Sequence, residues 1–278
     1  MFEQDVVKPG YLFCYILALL AASWGILLLS ASGFVPGTSL VLLPLIPGIL
    51  ALLFLTLEGH PIEVHARPIL GPVTIPATVF AALFPFLLLG ISALVALGTG
   101  LGSLNAGARS PGFVAVVVAF IAAIPAALGQ EYGYRGYLLP ALTYWQGRIA
   151  ATVSVGLVWG LATAPAVFLA LARAGSGDPS FIAILGFLFT VAVAFAFSCC
   201  YYLSGSILPV TLMNILFILA IPLVFTTSGN PAGIAPRGLI GVTWPSPLPL
   251  LILVSLAFVP VFTWLFLEMD GGIGSGTL

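Results

Sequence analysis

The chain has 278 residues, of which 61% are hydrophobic and only 5% are charged, and its mean hydropathy is +1.25. Soluble globular domains are about a quarter charged, so this composition excludes a soluble domain. The net charge of −1 provides no basic surface for nucleic acid. The three cysteines, Cys14, Cys199 and Cys200, lie in apolar runs without metal or disulfide spacing and are predicted to be small core residues. The composition predicts an integral membrane protein in contact with lipids.

Eight apolar segments are each close to the twenty residues that a helix needs to cross a hydrocarbon core of about 30 Å. In chain order they are 11–31, 39–57, 74–97, 112–128, 148–172, 180–203, 206–225 and 247–267. The fourth continues as helix to about residue 139, and only Ser-Gly-Ser separates the sixth from the seventh, which predicts a tight hairpin. The predicted fold class is an all-α polytopic bundle of about eight transmembrane helices, with residues 1–278 forming a single transmembrane domain in the cell membrane.

The basic residues in and near the loops do not decide the orientation in the membrane. An even number of spans divides them into two equal groups, and the positive-inside rule needs an excess on one side. The groups are Lys8, Arg67 and Arg148 on the side of the termini, and Arg109, Arg173 and Arg237 on the opposite side.

One polar segment, residues 58–65, reads Glu-Gly-His-Pro-Ile-Glu-Val-His and contains both histidines of the chain. Four possible ligands in eight residues could hold Zn²⁺. Pro61 disfavours a regular helix through the segment, and there is no His-Glu-x-x-His pattern. The segment is therefore predicted to be a solvated interfacial loop, and no metal site is predicted.

One charged pair, Glu131 and Arg135, ends the fourth segment, whose preceding residues 112–129 contain no charge. A charge at the centre of a bilayer costs about 2.5–3.5 kcal/mol on insertion scales. Residues four apart share a face of a helix, so this carboxylate and this guanidinium can pair. The pair is predicted to mark the functional site. The alternative is an interfacial ion pair that only closes the helix.

Residues 130–140, Gln-Glu-Tyr-Gly-Tyr-Arg-Gly-Tyr-Leu-Leu-Pro, resemble the first signature of the CAAX prenyl endopeptidases and bacteriocin-processing proteases, the CPBP superfamily of intramembrane proteases. That signature has two adjacent glutamates, three further residues, an arginine and a Gly-aromatic-Leu-Leu-Pro run. Glu131, Arg135 and the final run match it. Gln130 stands where the family has its first glutamate.

Two further family signatures have counterparts on later segments. Trp159 matches the aromatic residue of the second signature, and Thr163 occupies its histidine position. Residues 206–209, Ser-Ile-Leu-Pro, match the start of the third signature, and Asn214 occupies its histidine position. The resemblance covers residues 112–225 and implies a CPBP-like protease core there.

The resemblance implies that a glutamate and two histidines of the family activate water for attack on a peptide bond. General-base catalysis needs a group that accepts a proton near neutral pH, which Gln130, Thr163 and Asn214 do not provide. The resemblance therefore implies a non-catalytic pseudoprotease that serves as a scaffold, a substrate-binding protein or a subunit of a membrane complex. Its partner would be a membrane protein or a lipidated peptide, and no cofactor is implied.

Two alternative functions stay open. In the first, the protein is an active intramembrane endopeptidase in which Glu131 is the base and Arg135 supports it. In the second, it is a small transporter or channel subunit, because polar residues inside spans also mark transport pathways. The transporter alternative would favour interrupted half-helices in repeated positions, and the sequence has no visible repeat.

Overall fold

The computed structural model describes residues 7–36, 42–108, 111–174, 178–227, 238–242 and 247–274. Helices dominate these ranges: α1 Pro9–Ala31, α2 Ile46–Leu57, α3 Ile62–Leu70, α4 Ile75–Gly98, α5 Phe113–Glu131, α6 Leu139–Ala174, α7 Pro179–Tyr202, α8 Ile207–Val224 and α9 Leu248–Gly274. A π-helical segment, Tyr132–Leu138, joins α5 to α6. The predicted all-α membrane bundle is confirmed.

Six helical stretches in the described ranges are long and apolar enough to cross a membrane. They are Pro9–Ala31, Ile75–Gly98, Phe113–Leu169, Pro179–Tyr202, Ile207–Val224 and Leu248–Asp270. The stretch Phe113–Leu169 contains both the fourth and the fifth predicted span, and its 57 residues would cover about 85 Å if straight. Gly147, with φ of 77°, breaks it between the two spans. The chain is therefore a multi-pass integral membrane protein.

The second predicted span, 39–57, is shorter in the structure. Its apolar helix runs over Leu42–Leu57, and residues 39–41 lie outside the described residues. A helix of that length covers about 24 Å, less than the hydrocarbon core of about 30 Å. Pro47 lies in the first turn of α2, where a missing backbone N–H is tolerated.

The prediction of a loop over residues 58–65 is wrong from Ile62 onward. The helix α3 begins there, and Pro61 precedes it in extended conformation with φ of −67° and ψ of 160°. Proline disfavours the interior of a helix but is compatible with its start. Pro61 thus marks the beginning of a helix and does not prevent one.

The long helices pack around one core, and a small sheet closes one end. The helix α6 lies along α7, α7 packs against α9, and α8 packs against both α4 and α5. The strands β1 Gly102–Leu104, β2 Phe225–Thr227 and β3 Ile240–Val242 have the order β1–β3–β2, with β3 antiparallel to β1 and parallel to β2. Because β1 follows α4 and β2 follows α8, the sheet lies at the end of the bundle where these helices finish.

The opposite end of the bundle contains the hairpin between α7 and α8. The predicted tight connection is confirmed, since α7 ends at Tyr202, α8 begins at Ile207, and Gly205 adopts φ of 72°. The Thr74 hydroxyl donates to the Leu203 carbonyl at 2.9 Å, which ties the start of α4 to the hairpin. Three basic residues lie at this hairpin end: Lys8, Arg67 and Arg148. Arg109 and Arg237 lie outside the described residues, as does the side chain of Arg173.

The surface of the bundle is apolar, as a lipid environment requires. Phe13 and Leu17 on α1 are 62% and 50% exposed, for example. Cys199 and Cys200 are buried as predicted, but the prediction of a core position is wrong for Cys14, which is exposed. Part of the apolar surface of α1 faces outward, and Cys14 lies on that part next to Phe13.

Candidate functional site

The predicted charged pair is formed and is completely enclosed. Glu131 is the last residue of α5, and Arg135 lies in the π-helical segment that follows. The Arg135 Nη1 atom lies 3.1 Å from the Glu131 Oε2 atom, and both side chains have zero solvent exposure. The pair is therefore enclosed by protein and is not solvated.

Asn214 completes the carboxylate's hydrogen bonding from a third helix. Its side chain on α8 is 4% exposed, and its Nδ2 atom donates to the Glu131 Oε1 atom at 2.6 Å. Arg135 therefore binds one carboxylate oxygen and Asn214 binds the other. Hydrogen bonds to a charged carboxylate are stronger than those between neutral groups. Asn214, which occupies a family histidine position, here serves as a donor to Glu131.

Aromatic rings surround the Arg135 guanidinium. Its Cζ atom lies 4.5 Å from the ring centroid of Trp159 and 4.8 Å from that of Phe197, with Tyr134 at 5.8 Å. The Nε and Nη2 atoms of Arg135 have no hydrogen-bond partner among the described residues. Attraction between the cation and the ring faces compensates part of that deficit, more strongly in a site without water.

Small residues let α2 approach the site closely enough to seal it. A Cβ atom added at Gly133 would overlap Pro47, and one added at Gly48 would lie 2.6 Å from the Gly129 carbonyl oxygen. Gly133 lies in the π-helical segment, which packs on α2. Single-turn π segments inside helices often occur at functional sites. Here the segment contains both Arg135 and Gly133, the glycine that contacts Pro47.

Two predicted site residues do not join this network. Thr163 on α6 is one turn beyond Trp159, and its hydroxyl donates to the Trp159 carbonyl at 2.9 Å, within its own helix. Gln130 is partly buried beside Glu131. The structure thus brings together Glu131, Arg135 and Asn214, with Trp159 as a ring neighbour.

Sequence reasoning did not single out Phe197, which also belongs to the site. It is 2% exposed on α7, and its ring centroid lies 4.8 Å from the Arg135 Cζ atom and 5.7 Å from the ring centroid of Phe217. The helix α7 carries none of the three signatures, and Phe197 stands in an uninterrupted apolar run. No signal in the sequence distinguishes it from other core aromatic residues.

The enclosure limits the chemistry that this arrangement supports. Zero exposure means that no water-sized space adjoins the side chain of Glu131 or of Arg135. A general base must lie within hydrogen-bond distance of the group whose proton it takes. In this arrangement both oxygens of the Glu131 carboxylate accept hydrogen bonds from protein donors, one from Arg135 and one from Asn214. The carboxylate serves as the buried counter-charge of Arg135.

The two histidines have separate partners. The His60 Nε2 atom lies 3.3 Å from Glu58 Oε2, and the His65 Nε2 atom lies 3.2 Å from the Thr56 hydroxyl. The Nδ1 atom of His65 faces the Pro61 carbonyl at 3.0 Å. Within the described ranges no three His, Cys, Asp or Glu side chains gather as metal ligands would.

The comparison with protein families matches residues 112–220 to the model described as type II CAAX prenyl endopeptidase Rce1-like. The matched region begins just before α5 and ends within α8, so it contains Glu131, Arg135 and Asn214. The resemblance to the CPBP superfamily that the three signatures predicted is confirmed over this region. No curated protein matched the chain.

Proposed function

We propose that this protein is a non-catalytic relative of the CAAX-type intramembrane endopeptidases, a pseudoprotease that uses the protease fold as a scaffold or binding subunit in the membrane. The observation that carries the proposal is the state of Glu131, whose two carboxylate oxygens are bound by Arg135 and Asn214 and whose side chain has zero exposure. A hydrolase needs a base with access to water.

The three substituted positions support the same conclusion. Gln130 does not titrate, Thr163 bonds to its own helix, and Asn214 donates to Glu131 where an imidazole would be required. The framework around them is kept, since Trp159 lies beside Arg135. A scaffold function needs this framework but does not need the titrating groups.

The proposal extends to the organisation and surroundings of the protein. One transmembrane domain over residues 1–278 contains the protease-like core 112–225 and lies in the cell membrane. Its partner is another membrane protein or a lipidated peptide, because such partners share the lipid phase with an apolar helical surface. Glu131 and Arg135 hold the core together in this function and take no part in chemistry.

The test is a proteolysis assay with purified full-length protein and farnesylated CAAX peptides, run beside an active type II CAAX endopeptidase. We expect no cleavage by the wild type. The Glu131→Gln variant should give the same result, and size-exclusion chromatography should show that it is folded. Cleavage by the wild type that disappears in a folded Glu131→Gln protein would contradict the proposal and make Glu131 the general base.

A further inference from the structure

A cavity of about 690 Å³ lies at the hairpin end of the bundle. Its walls come from the end of α2, α3, the π-helical segment, the first turns of α6 and the end of α7. It is separate from the buried network, because neither Glu131, Arg135 nor Asn214 lines it. Pockets for small ligands have volumes of about 300–1,000 Å³, so the cavity fits a small molecule and not a folded partner.

The cavity combines apolar walls with two arginine side chains. Leu55, Pro68 and Ala141 contribute apolar surface, and Arg67 and Arg148 also line it. No Asp or Glu belongs to its described lining. Basic side chains near a membrane surface attract anionic lipids, and apolar walls suit an acyl chain. The combination indicates an amphiphile with an anionic head.

Two hydrogen-bond donors at the cavity lack an acceptor among the described residues. Arg148 pairs with Asp270 through its Nη1 atom, and its Cζ atom lies 5.4 Å from the ring centroid of Tyr202. The Nε atom of Arg148 is buried and has no partner. The hydroxyl of Tyr137, a residue that is 2% exposed, also has none. The Arg148 guanidinium also has N–H groups beyond the Nη1 atom that binds Asp270, and phosphate oxygens are strong acceptors for such donors.

The arginine side of the cavity lies beside residues that are typical of the membrane–water interface. Tyr144 and Trp145, next to Arg148 in the chain, are 55% and 51% exposed, and exposed Tyr and Trp are typical of the membrane–water interface. Lys8 lies at the same end, since its backbone N–H donates to the Glu58 carboxylate at 2.7 Å. We therefore expect Arg67 and Arg148 to lie near the level of the lipid phosphates.

We propose that this cavity binds one anionic phospholipid, with its phosphate at Arg67 and Arg148 and one acyl chain along Leu55, Pro68 and Ala141. The inference goes beyond the proposed pseudoprotease function and does not depend on it, because no residue of the Glu131 network takes part. An active or an inactive enzyme would bind the lipid equally.

Native mass spectrometry of the full chain, exchanged into equal amounts of phosphatidylglycerol and phosphatidylcholine with the same acyl chains, tests the proposal. We expect the wild type to retain phosphatidylglycerol with a preference of at least about five-fold, the factor expected for one basic side chain near an anionic lipid. Arg67→Gln and Arg148→Gln should each reduce that preference several-fold. Lys8→Gln is the matched control, since Lys8 is basic, exposed and at the same end but does not line the cavity.

A second variant tests the acyl site without changing charge. Ala141→Phe fills the apolar wall and should lower retention of both lipids, and it decides the question if Arg148→Gln does not fold. Equal retention of the two lipids by the wild type would overturn the proposal. So would an effect of Lys8→Gln equal to that of Arg67→Gln, which would indicate general surface attraction. Displacement of phosphatidylglycerol by an equal concentration of glycerol 3-phosphate would indicate a phosphate site and overturn the lipid assignment.

Discussion

At the scale of single residues, Glu131 shows what a carboxylate needs inside an apolar bundle. A lone buried charge is expensive, and the cost falls only if a partner charge and further hydrogen bonds are present. Arg135 supplies the charge, and Asn214 supplies the second hydrogen bond. The rings of Trp159 and Phe197 then cover the guanidinium. Each member of the network depends on the others.

This dependence predicts a non-additive pair of variants. Arg135→Met leaves the Glu131 carboxylate buried without its counter-charge and should destabilise the protein by about 3–5 kcal/mol. Glu131→Leu combined with Arg135→Met removes both charges and leaves only the Asn214 amide unsatisfied, which costs about 1–3 kcal/mol. The double variant should therefore unfold at a higher temperature than Arg135→Met in a thermal unfolding assay in detergent.

The charge-conserving variant Arg135→Lys provides the control for that pair. It keeps a cation near Glu131 but loses the planar group that faces Trp159, so its unfolding temperature should lie between Arg135→Met and the wild type. Equal unfolding temperatures for wild type, Arg135→Met and the double variant would show that the pair contributes nothing to stability.

At the scale of elements, the contact between α2 and the π-helical segment determines how closely the site is sealed. An added Cβ atom at Gly133 would overlap the backbone and ring of Pro47, neither of which is a flexible side-chain end. Gly133→Ala should therefore destabilise the protein by about 1–3 kcal/mol, the usual range for overpacking. Circular dichroism during heating would measure this effect.

Gly90 in the middle of α4 offers the matched control. An added Cβ atom there meets nothing within 4 Å, and the residue is exposed. Gly90→Ala should be neutral or slightly stabilising, since alanine is the better helix former by about 1 kcal/mol. A Gly133→Ala protein as stable as Gly90→Ala would mean that α2 does not pack tightly on the segment.

The sequence was sufficient for features that depend on local patterns. Apolar runs of about twenty residues predicted the long spans, and the Ser-Gly-Ser break predicted the hairpin at Gly205. The charged pair four residues apart predicted the contact between Glu131 and Arg135. Each of these signals lies within one or two helices, where periodicity and turn residues determine the structure.

Features that depend on contacts between distant segments were not predictable. Gly133 of the π-helical segment packs closely against Pro47, which lies more than eighty positions earlier in the chain. Phe197 contacts Arg135 across two helices without any motif of its own. The family signature predicted that Thr163 follows Trp159 on the same helix. It did not predict that the Thr163 hydroxyl donates to the Trp159 carbonyl of that helix.

At the scale of the whole molecule, we expect the two ends of the bundle to face opposite sides of the membrane. The helix α4 separates α3 at the hairpin end from β1 at the sheet end, and its 24 residues cover about 36 Å. Exposed positions at the two ends are Glu63 and Ser103. We expect a membrane-impermeant maleimide to label only one of Glu63→Cys and Ser103→Cys in sealed vesicles, in a background without the native cysteines.

Permeabilisation of the vesicles should then make the second cysteine reactive, which controls for a position that is simply unreactive. Labelling of both positions from the same side before permeabilisation would contradict the arrangement of α4 across the membrane. Which of the two reacts first also decides the orientation that the equal distribution of basic residues left open.

The spacing of Glu131 and Arg135 has a consequence for biosynthesis. Both residues belong to one continuous stretch of chain, so they leave the ribosome within moments of each other, whereas Asn214 is synthesised much later. The carboxylate and the guanidinium can pair inside the newly made segment before its later neighbours exist. We expect such a segment to enter the lipid with no net charge, at a lower cost than either ion alone. Assembly around α8 adds the Asn214 hydrogen bond to a pair that is already neutral.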